Sequence, residues 1–394
     1  MVSSVAVQLR PPNRVAENRF DRPLGTGLTF RILQTEVELV SIKAEWDRLW
    51  VESEAEYFLS HAAILESWNI IHRPQGARLC CAIAMDGERL VGVLPLILNR
   101  RWAWSVASTC TPHASECCDM IVKRQPGSSE LAIALLRKAI EIARPDSVYL
   151  DYVLGGTHLD IAIRANRWLR IDETWSGAVP VAVVHGETDW TSFAKALNRK
   201  YQTNVARASR RLNEQGTVTF EVLPETPASL IDWLFEHKRK WSDRTDKRGQ
   251  WVFSDYYKEY LGALWASGWS RYLTFTLRLN GVLIALKLIA INTTTVSPVI
   301  ITYDYDYRQF SPGNVLDEWM FKYLFDNYRT ADGRFLDVIF GTGTEKFKSY
   351  WSRDNTVPVT SFLMATSRLG ATAIRTREIL SDLKGRIARR APRG

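Results

Sequence analysis

The sequence lacks the patterns that define several large protein classes. It contains no H-E-x-x-H segment, no G-x-S-x-G nucleophile elbow and no C-x-x-C pair, so metalloproteases, α/β-hydrolases and paired-cysteine zinc sites have no support. Its most apolar run, Val282–Ile291, contains Lys287 and is far shorter than the roughly 18 apolar residues of a membrane-spanning helix. The first residues are polar, with arginine and proline where a signal peptide has an apolar core, so we expect a cytoplasmic protein.

Cysteine is scarce, and its arrangement argues against a disulfide framework. The five cysteines are odd in number and include two pairs of neighbours, Cys80–Cys81 and Cys117–Cys118. Zinc could use Cys110, His113 and Cys117, but a fourth ligand is not defined. We therefore interpret these cysteines as small buried thiols in a connecting loop, and we predict no metal.

The chain does contain enough apolar residues for two folded halves, together with an excess of cations. Of its 394 residues, 46% are hydrophobic and 24% are charged, which excludes wholesale disorder and favours two domains. Its formal charge of +8 and pI near 9.2 favour an anionic partner, such as a phosphate cofactor, nucleic acid, an acidic polysaccharide or a lipid surface. Its 15 tryptophans indicate large packed faces or a groove with aromatic walls.

Two halves of the sequence follow the same order of predicted elements: helices, a β-hairpin, a long helix and a strand. The hairpin turns, Asp86-Gly87 and Asn280-Gly281, both carry a type I′ signature. The repeat predicts two domains and two tails: an N-terminal tail (1–27), a degenerate first domain (28–186), a second domain (187–366) and a basic C-terminal tail (367–394).

The most informative segment is Tyr303–Asn314, with the sequence YDYDYRQFSPGN, between a predicted strand and a predicted helix. A helix that begins at a glycine-containing turn presents unpaired backbone N–H groups and the positive end of its dipole to an anion. Arg308 beside the turn can add a bidentate phosphate contact. We predict that Arg308 and the four turn residues hold a phosphate-bearing cofactor; the turn residues are Ser311, Pro312, Gly313 and Asn314.

The corresponding place in the first half has only the shorter segment Lys123–Gly127. We therefore predict that the active site lies in the second half, and that the first half packs against it or binds the acceptor.

A helix predicted over Trp190–Gln215 has an apolar stripe and an opposite face of cations. This face has no acidic residue before Glu214, so i,i+4 ion pairs do not neutralise it. A solvated charged face and cations that suit the helix dipole are the structural alternatives to an anion-binding role. We predict substrate contacts for five residues of this helix and the next; they are Lys200, Arg207, Arg211, Lys238 and Trp241.

The segment Gly341–Tyr350 follows a strand predicted at Arg334–Phe340. Its glycine and lysine spacing fits neither a P-loop nor a dinucleotide-binding fingerprint. Asp337 and Lys348 are further candidates for substrate binding, and an ion pair between the two is the structural alternative. A transferase needs a base for its nucleophile and an acid for a departing thiolate. We predict three catalytic candidates, for which a structural hydrogen-bonding role is the alternative; they are Glu345 as base and Tyr350 or Tyr303 as acid.

The second half resembles the acetyltransferase domain of CelD-type (BioF-like) polysaccharide-biosynthesis proteins, a branch of the GNAT superfamily related to the FemAB aminoacyl transferases. The matching segments are KALNRKYQTNVARASRRLNEQG, LFEHKRKW, YDYDYRQFSPGNVL and FLDVIFGTGTEKFKSYW. The loop at Arg308 is similar to the Q/R-x-x-G-x-G/A loop with which GNAT enzymes hold the pyrophosphate of acyl-CoA, with Ser311 in place of the first glycine. Phe347 stands where tyrosine is expected, and Val338–Phe340 departs from the usual Asp-Phe-Gly, so no catalytic base is carried over.

The resemblance implies an α/β (α+β) fold of tandem GNAT-like domains, each a mixed, largely antiparallel sheet flanked by helices. It implies transfer of an acyl group from acetyl-CoA or another acyl-CoA to nitrogen or oxygen of a sugar or amino-sugar acceptor in cellulose or exopolysaccharide biosynthesis. Two alternatives stay open: FemAB-like transfer from aminoacyl-tRNA, and a non-catalytic subunit of a polysaccharide synthase. We see no dedicated RNA-binding arm and expect no nucleic-acid partner. The basic segment Arg375–Arg393 suggests peripheral contact with the inner membrane face.

Overall fold

The computed structural model describes residues 27–101, 104–112, 117–167, 169–245, 250–343 and 345–376. Three sequence predictions fall on residues outside the described ranges. They are the N-terminal tail before Gly27, the membrane-contacting segment after its first two residues (Arg375 and Thr376), and His113 of the zinc cluster that was considered. Within the described part of the chain, no helix combines the length and the apolar character needed to cross a lipid bilayer.

The described strands form one continuous mixed sheet. They are β1 (Leu28–Leu33), β2 (Arg78–Asp86), β3 (Arg89–Arg101), β4 (Trp104–Thr109), β5 (Ile121–Val122), β6 (Ser147–Leu154), β7 (Arg170–Ala182), β8 (Val218–Leu223), β9 (Tyr272–Leu279), β10 (Val282–Ile291), β11 (Thr295–Tyr303), β12 (Asp337–Ile339) and β13 (Thr356–Ala365). In space the order is β1-β2-β3-β4-β6-β13-β7-β12-β11-β10-β9-β8, and β5 pairs with β3. The β4–β6 and β11–β12 pairs are parallel and the other named pairs are antiparallel, which confirms the predicted mixed, largely antiparallel sheet.

Helices cover both faces of the sheet. They are α1 (Glu36–Ser41), α2 (Lys43–Glu52), α3 (His61–Glu66), α4 (Ser128–Ala143), α5 (His158–Arg164), α6 (Trp190–Lys195), α7 (Arg199–Asn213), α8 (Ala228–Thr245), α9 (Asp255–Trp265), α10 (Pro312–Asn327) and α11 (Lys346–Ser352). The single helix predicted over Trp190–Gln215 is wrong, because the chain breaks between α6 and α7. Asn198 caps the second piece, and its side-chain oxygen accepts hydrogen bonds from the N–H groups of Lys200 and Tyr201.

Both predicted hairpins are present. Asn280 and Gly281 connect β9 to β10 with φ of 51° and 80°, the left-handed pair that a type I′ turn requires. In the first hairpin the turn lies one residue later than predicted, because Asp86 pairs with Arg89 and Gly87 takes a φ of 60°. Turn chemistry in the sequence therefore located both hairpins to within one residue.

The two halves exchange strands and share a core. β13, the last strand of the second half, lies between β6 and β7 of the first half, and the end of β7 pairs with β12. One apolar cluster also crosses between the halves, with the ring centroids of Tyr57 and Trp265 6.3 Å apart and those of Trp50 and Trp269 5.6 Å apart. The halves therefore pack as one body, whereas the predicted domain boundaries stay a prediction.

Candidate functional site

The parallel strands β11 and β12 part soon after they begin. Of the described residues, two pairs are in register, Thr295 with Asp337 and Val296 with Val338. β11 then continues to Tyr303 beside β10, with no β12 residue opposite it. We call the resulting opening, bounded by residues 297–303 and 339–341, the strand gap.

The start of α10 lies at the end of this gap and offers fewer free amides than the sequence suggested. Ser311 adopts the left-handed conformation (φ 48°), and its N–H donates to Arg308 O at 3.0 Å. Asn314 N–H donates to Ser311 O at 3.0 Å, and Pro312 has no N–H. The expectation of several unpaired amides is therefore wrong: among the described hydrogen bonds of this turn, none uses Gly313 N–H, and the assignment of these residues to a phosphate stays a prediction.

Three arginines from three elements meet at the loop before α10. The Arg308 guanidinium donates to Tyr305 O at 3.2 Å and lies 4.7 Å from the Tyr305 ring centroid. Arg244 of α8 lies at the same distance from that ring, and Arg211 of α7 reaches Gln309 O at 3.4 Å. We call Arg211, Arg244 and Arg308 the arginine rim. Arg244 was not among the predicted residues, although its place three residues after Trp241 on the same helix is a usable signal.

Three other predicted residues contact one another at the end of β11. Lys238 Nζ donates to Ile301 O at 3.0 Å and lies 4.4 Å from the Trp241 ring centroid. Burial raises the pKa of Tyr303, and a side-chain hydrogen bond between Trp241 and Tyr303 opposes that rise. The structure thus brings Lys238, Trp241 and Tyr303 together beside the strand gap.

Lys200 and Arg207 take part in none of these contacts among the described residues. Both are exposed on α7, and neither takes part in an ion pair among the described residues, whereas Arg210 on the same helix pairs with Glu214 at 3.7 Å. Their predicted contact with substrate stays a prediction.

The Lys348 side chain binds backbone carbonyl groups of the loop after β12. Its Nζ donates to Gly341 O at 2.9 Å and Thr342 O at 2.8 Å, and it lies 3.1 Å from Glu345 Oε2. These contacts tie the loop to α11, and Glu345 also stands at the N-terminal boundary of that helix. These contacts favour the structural alternative for Glu345 and give Lys348 a structural role in the loop.

Asp337 does not pair with Lys348, so the ion pair considered as its structural alternative is wrong. Its Oδ1 accepts hydrogen bonds from Val184 N–H at 2.7 Å and His185 N–H at 2.9 Å, and its Oδ2 lies 2.7 Å from His185 Nδ1. It stands at the first residue of β12, the end away from the arginine rim. Asp337 therefore anchors the chain after β7, a different structural role.

Tyr350 packs against α7 and not towards the rim. Its ring stacks on Tyr201 with centroids 3.4 Å apart, and burial raises its pKa well above the ordinary value. A phenol that holds its proton this tightly is a poor acid for a thiolate.

We expect Tyr350→Phe to keep thiol release from acetyl-CoA within about tenfold of the unsubstituted protein, since a lost general acid would reduce it by about 10²–10⁴-fold. The release rate with a thiol-reactive dye checks this, with thermal melting to confirm folding. A fall in thiol release of about 10²–10⁴-fold would instead assign the role of general acid to Tyr350.

The strand gap continues into a cavity between the halves, which we call the interdomain cavity. The first half lines it with Glu56, Phe58, Cys117 and Leu154, and the second half with residues 297–299 and 339–341. Glu56 was not among the predicted site residues, because it stands in the acidic segment Val51–Glu56 with no motif around it.

The described cysteines are buried and free, as predicted. Burial raises the pKa of Cys80 to about 11 and that of Cys110 further, so these thiols stay protonated. Among the described residues, no group of three histidine, cysteine or acidic side chains is arranged to hold a metal ion.

Comparison with known proteins connects this geometry to a family. Residues 199–349 match a family model described as an acetyltransferase (GNAT) domain. Among solved structures, the chain is similar to FemX, with a TM-score of 0.58 and 12% identity over 85% of this chain and 96% of that chain. It is also similar to a conserved protein of unknown function from Bacteroides thetaiotaomicron VPI-5482, with a TM-score of 0.52 and 12% identity over 86% and 100% of the two chains. A search of curated proteins found none that matches this sequence.

A tandem GNAT protein from the clavulanic acid biosynthesis pathway aligns with a TM-score of 0.45 and 12% identity over 86% of this chain and 98% of that chain. At identities this low, structural likeness shows the fold alone. The family model, in contrast, covers α7, β11, the strand gap and the start of α10. Residues 199–349 therefore match a GNAT domain, and the chain as a whole has a mixed α/β fold similar to that of FemX.

Proposed function

We propose that the protein is an acyl-CoA-dependent acyltransferase whose donor site is the strand gap. One observation carries the proposal: the segment matched by the GNAT model contains a parallel strand pair that opens beside a helix start and the arginine rim. The open edge of β11 can hydrogen-bond to an extended chain such as pantetheine, as it would to a strand. The rim and Gly313 N–H supply cations and a donor for the pyrophosphate.

Distances along β11 suit such a donor. A Cβ added to Gly313 would lie 3.6 Å from the side chains of both Ile301 and Tyr303, so the start of α10 lies directly against the last residues of β11. The interdomain cavity meets the same strand at Ser297–Val299, two to six residues earlier. This separation is about 7–20 Å at roughly 3.3 Å per residue. A phosphate at Gly313 would therefore direct the thioester end towards the cavity.

The acceptor in this proposal is a sugar or amino sugar of a cell-surface polysaccharide, and acetyl-CoA is the donor. The resemblance of the sequence to CelD-type proteins supports both assignments, and the Trp241 ring beside Lys238 suits a sugar or an adenine. We place the reaction in the cytoplasm, with the basic segment 367–394 in contact with the inner membrane face.

FemAB-like transfer from aminoacyl-tRNA is a second candidate. The similarity of the fold to FemX over 96% of that chain favours it, and so does the exposed cationic face of α7. A thermal-shift series with acetyl-CoA, CoA and aminoacyl-tRNA distinguishes the donors, because a bound ligand stabilises the folded protein by mass action. Stabilisation by charged tRNA alone would replace the first proposal with the second.

We expect Arg308→Ala to weaken CoA binding by about 1–3 kcal/mol, because a charge-assisted hydrogen bond to phosphate is lost. Isothermal titration calorimetry measures this as a rise in Kd of roughly 5- to 150-fold. The matched control is Arg199→Ala, an exposed arginine at the other end of α7, about 18 Å along the helix from Arg211. An unchanged Kd for the Arg308 variant would reject the role of this residue.

A further inference from the structure

Glu56 belongs to the first half, but its side chain is held by the second. Its Oε1 accepts a hydrogen bond from Thr295 Oγ1 at 2.8 Å. Its Oε2 accepts hydrogen bonds from Ser297 Oγ at 2.8 Å and Asn292 Nδ2 at 2.5 Å. Thr295 and Ser297 belong to the start of β11, so this carboxyl group stands where the strand gap opens into the interdomain cavity.

The three donors around Glu56 are neutral, and Glu56 takes part in no ion pair among the described residues. Much of the cavity wall is apolar: Phe58 and Leu154 face Pro298 and Val299. Burial raises the pKa of Glu56, and its bonds to Thr295 and Ser297 oppose the rise. A carboxylate without a cation in such surroundings favours a cationic ligand.

Two other titratable groups stand near it. Burial raises the pKa of Asp119 to about 7, and the charge of Glu56 adds to that rise, while the Cys117 thiol lines the cavity. The Asp119 side chain accepts a hydrogen bond from Leu159 N–H at 3.0 Å, so it is held by another residue of the first half. The cavity therefore carries the Glu56 carboxyl group and the Cys117 thiol of the first half against a strand of the second.

We propose that Glu56 is a catalytic residue that receives a proton from a primary amine bound in the interdomain cavity, so that both halves build the acyl-transfer site. The inference rests on the proposed function, because it needs a thioester at the cavity end of β11. It narrows the acceptor to a substrate with an ammonium group, such as an amino sugar. It also assigns the base role to Glu56 and not to Glu345, which Lys348 already holds.

The chemistry balances with these groups alone. The acceptor enters as R–NH₃⁺ and pairs with the Glu56 carboxylate, which takes one proton and leaves a neutral amine. The amine nitrogen attacks the thioester carbonyl carbon, the C–N bond forms, and the C–S bond breaks with its electron pair on sulfur. The thiolate takes the second proton from nitrogen, so the products are an amide and the CoA thiol. Protonated Glu56 then releases its proton to solvent.

A measurement that needs no acceptor tests the site. The full chain is treated with a water-soluble carbodiimide and methylamine across a pH series, with and without acetyl-CoA, and modification is located by mass spectrometry. Only a protonated carboxyl group activates efficiently, so the rate falls as pH rises through the pKa of each group. We expect Glu56 to be modified with a midpoint above the ordinary value of about 4.3. Exposed Glu130 of α4 is the internal control for access of the reagents.

Two variants check that the measured titration belongs to Glu56. Thr295→Val removes a donor to the anion, so the Glu56 midpoint should rise; Asp119→Asn removes a neighbouring like charge, so it should fall. The catalytic role itself is tested by Glu56→Gln. Acetyl-CoA should slow modification of Glu56 at least fivefold and leave Glu130 unchanged.

Glu56→Gln provides the functional arm. We expect thiol release from acetyl-CoA, with glucosamine as the acceptor, to fall by about 10²–10⁴-fold while calorimetry gives an unchanged Kd for CoA. Any of three results would overturn the inference. They are no reaction of Glu56 at any pH, a Glu56 reaction rate unaffected by acetyl-CoA, and a Gln variant that releases thiol at the unreduced rate. Failure of the unsubstituted protein to bind acetyl-CoA in the calorimeter would instead overturn the proposed function, a result read independently of the labelling.

Discussion

Asp317→Ala is expected to lower the free energy of unfolding by about 3–5 kcal/mol, because it leaves Lys287 charged and unpaired in the core. Lys287 lies in the middle of β10, beside β11, and Asp317 lies on α10; Nζ contacts Oδ1 directly. Both side chains are only 1% exposed. The pair therefore joins the strand next to the strand gap to the helix whose start carries Gly313. Urea denaturation followed by tryptophan fluorescence measures the loss.

The reciprocal variant, Lys287→Met, should depend on pH in a way that Asp317→Ala does not. Burial already raises the pKa of Asp317 above its ordinary value of 3.8, and loss of the lysine removes the charge that opposes this rise. The folded state then binds a proton more tightly than the unfolded state, so stability increases as pH falls through the raised pKa towards 3.8. The deficit of Lys287→Met should shrink over that interval.

A double variant makes the test specific. Lys287→Met with Asp317→Leu replaces the ion pair by apolar groups of similar size, and such exchanges are neutral or stabilising by about 1–4 kcal/mol. We therefore expect the double variant to regain the stability that either single variant loses. A double variant whose loss equals the sum of the losses of Lys287→Met alone and Asp317→Leu alone would contradict the coupling.

Features that depend on neighbours in the sequence were predictable. Asn280 and Gly281 determine a hairpin because both must adopt positive φ. The Ser311–Pro312–Gly313 turn marks the start of a helix for a similar local reason. Lys238 and Arg308 converge because one lies on a helix that packs on β11 and the other on the loop that follows the same strand.

Features that depend on distant partners were not predictable from one sequence. Glu56 bonds to Asn292, which lies 236 residues further along the chain, and Asp337 bonds to His185, which lies 152 residues earlier. Nothing in the local pattern specifies that β13 inserts between β6 and β7. The break at Asn198 was hidden because Phe193 of α6 and Val205 of α7 are both buried, so the apolar periodicity continues across it.

Trp351→Ala is expected to cost about 3–5 kcal/mol of unfolding free energy, the range for removal of a large buried aromatic side chain. Trp351 is 1% exposed and stacks on Phe321 of α10 with centroids 4.4 Å apart. Its ring also lies 6.2 Å from Tyr201 of α7 and 6.4 Å from Trp190 of α6. One side chain thus joins α11 to three other helices, so its removal leaves a cavity that none of them fills alone.

Trp175→Ala is the matched control, because Trp175 is 43% exposed and its ring meets Tyr152 edge-on at 5.1 Å. We expect it to cost about 1 kcal/mol, the order of one aromatic pair. The two variants should also differ in CoA affinity. α11 follows the loop that Lys348 clamps to the end of β12, so loosening α11 frees one wall of the strand gap, whereas β7 at Trp175 lies outside it. Calorimetry below each variant's melting temperature checks this: equal CoA affinity in both would show that α11 does not position the wall.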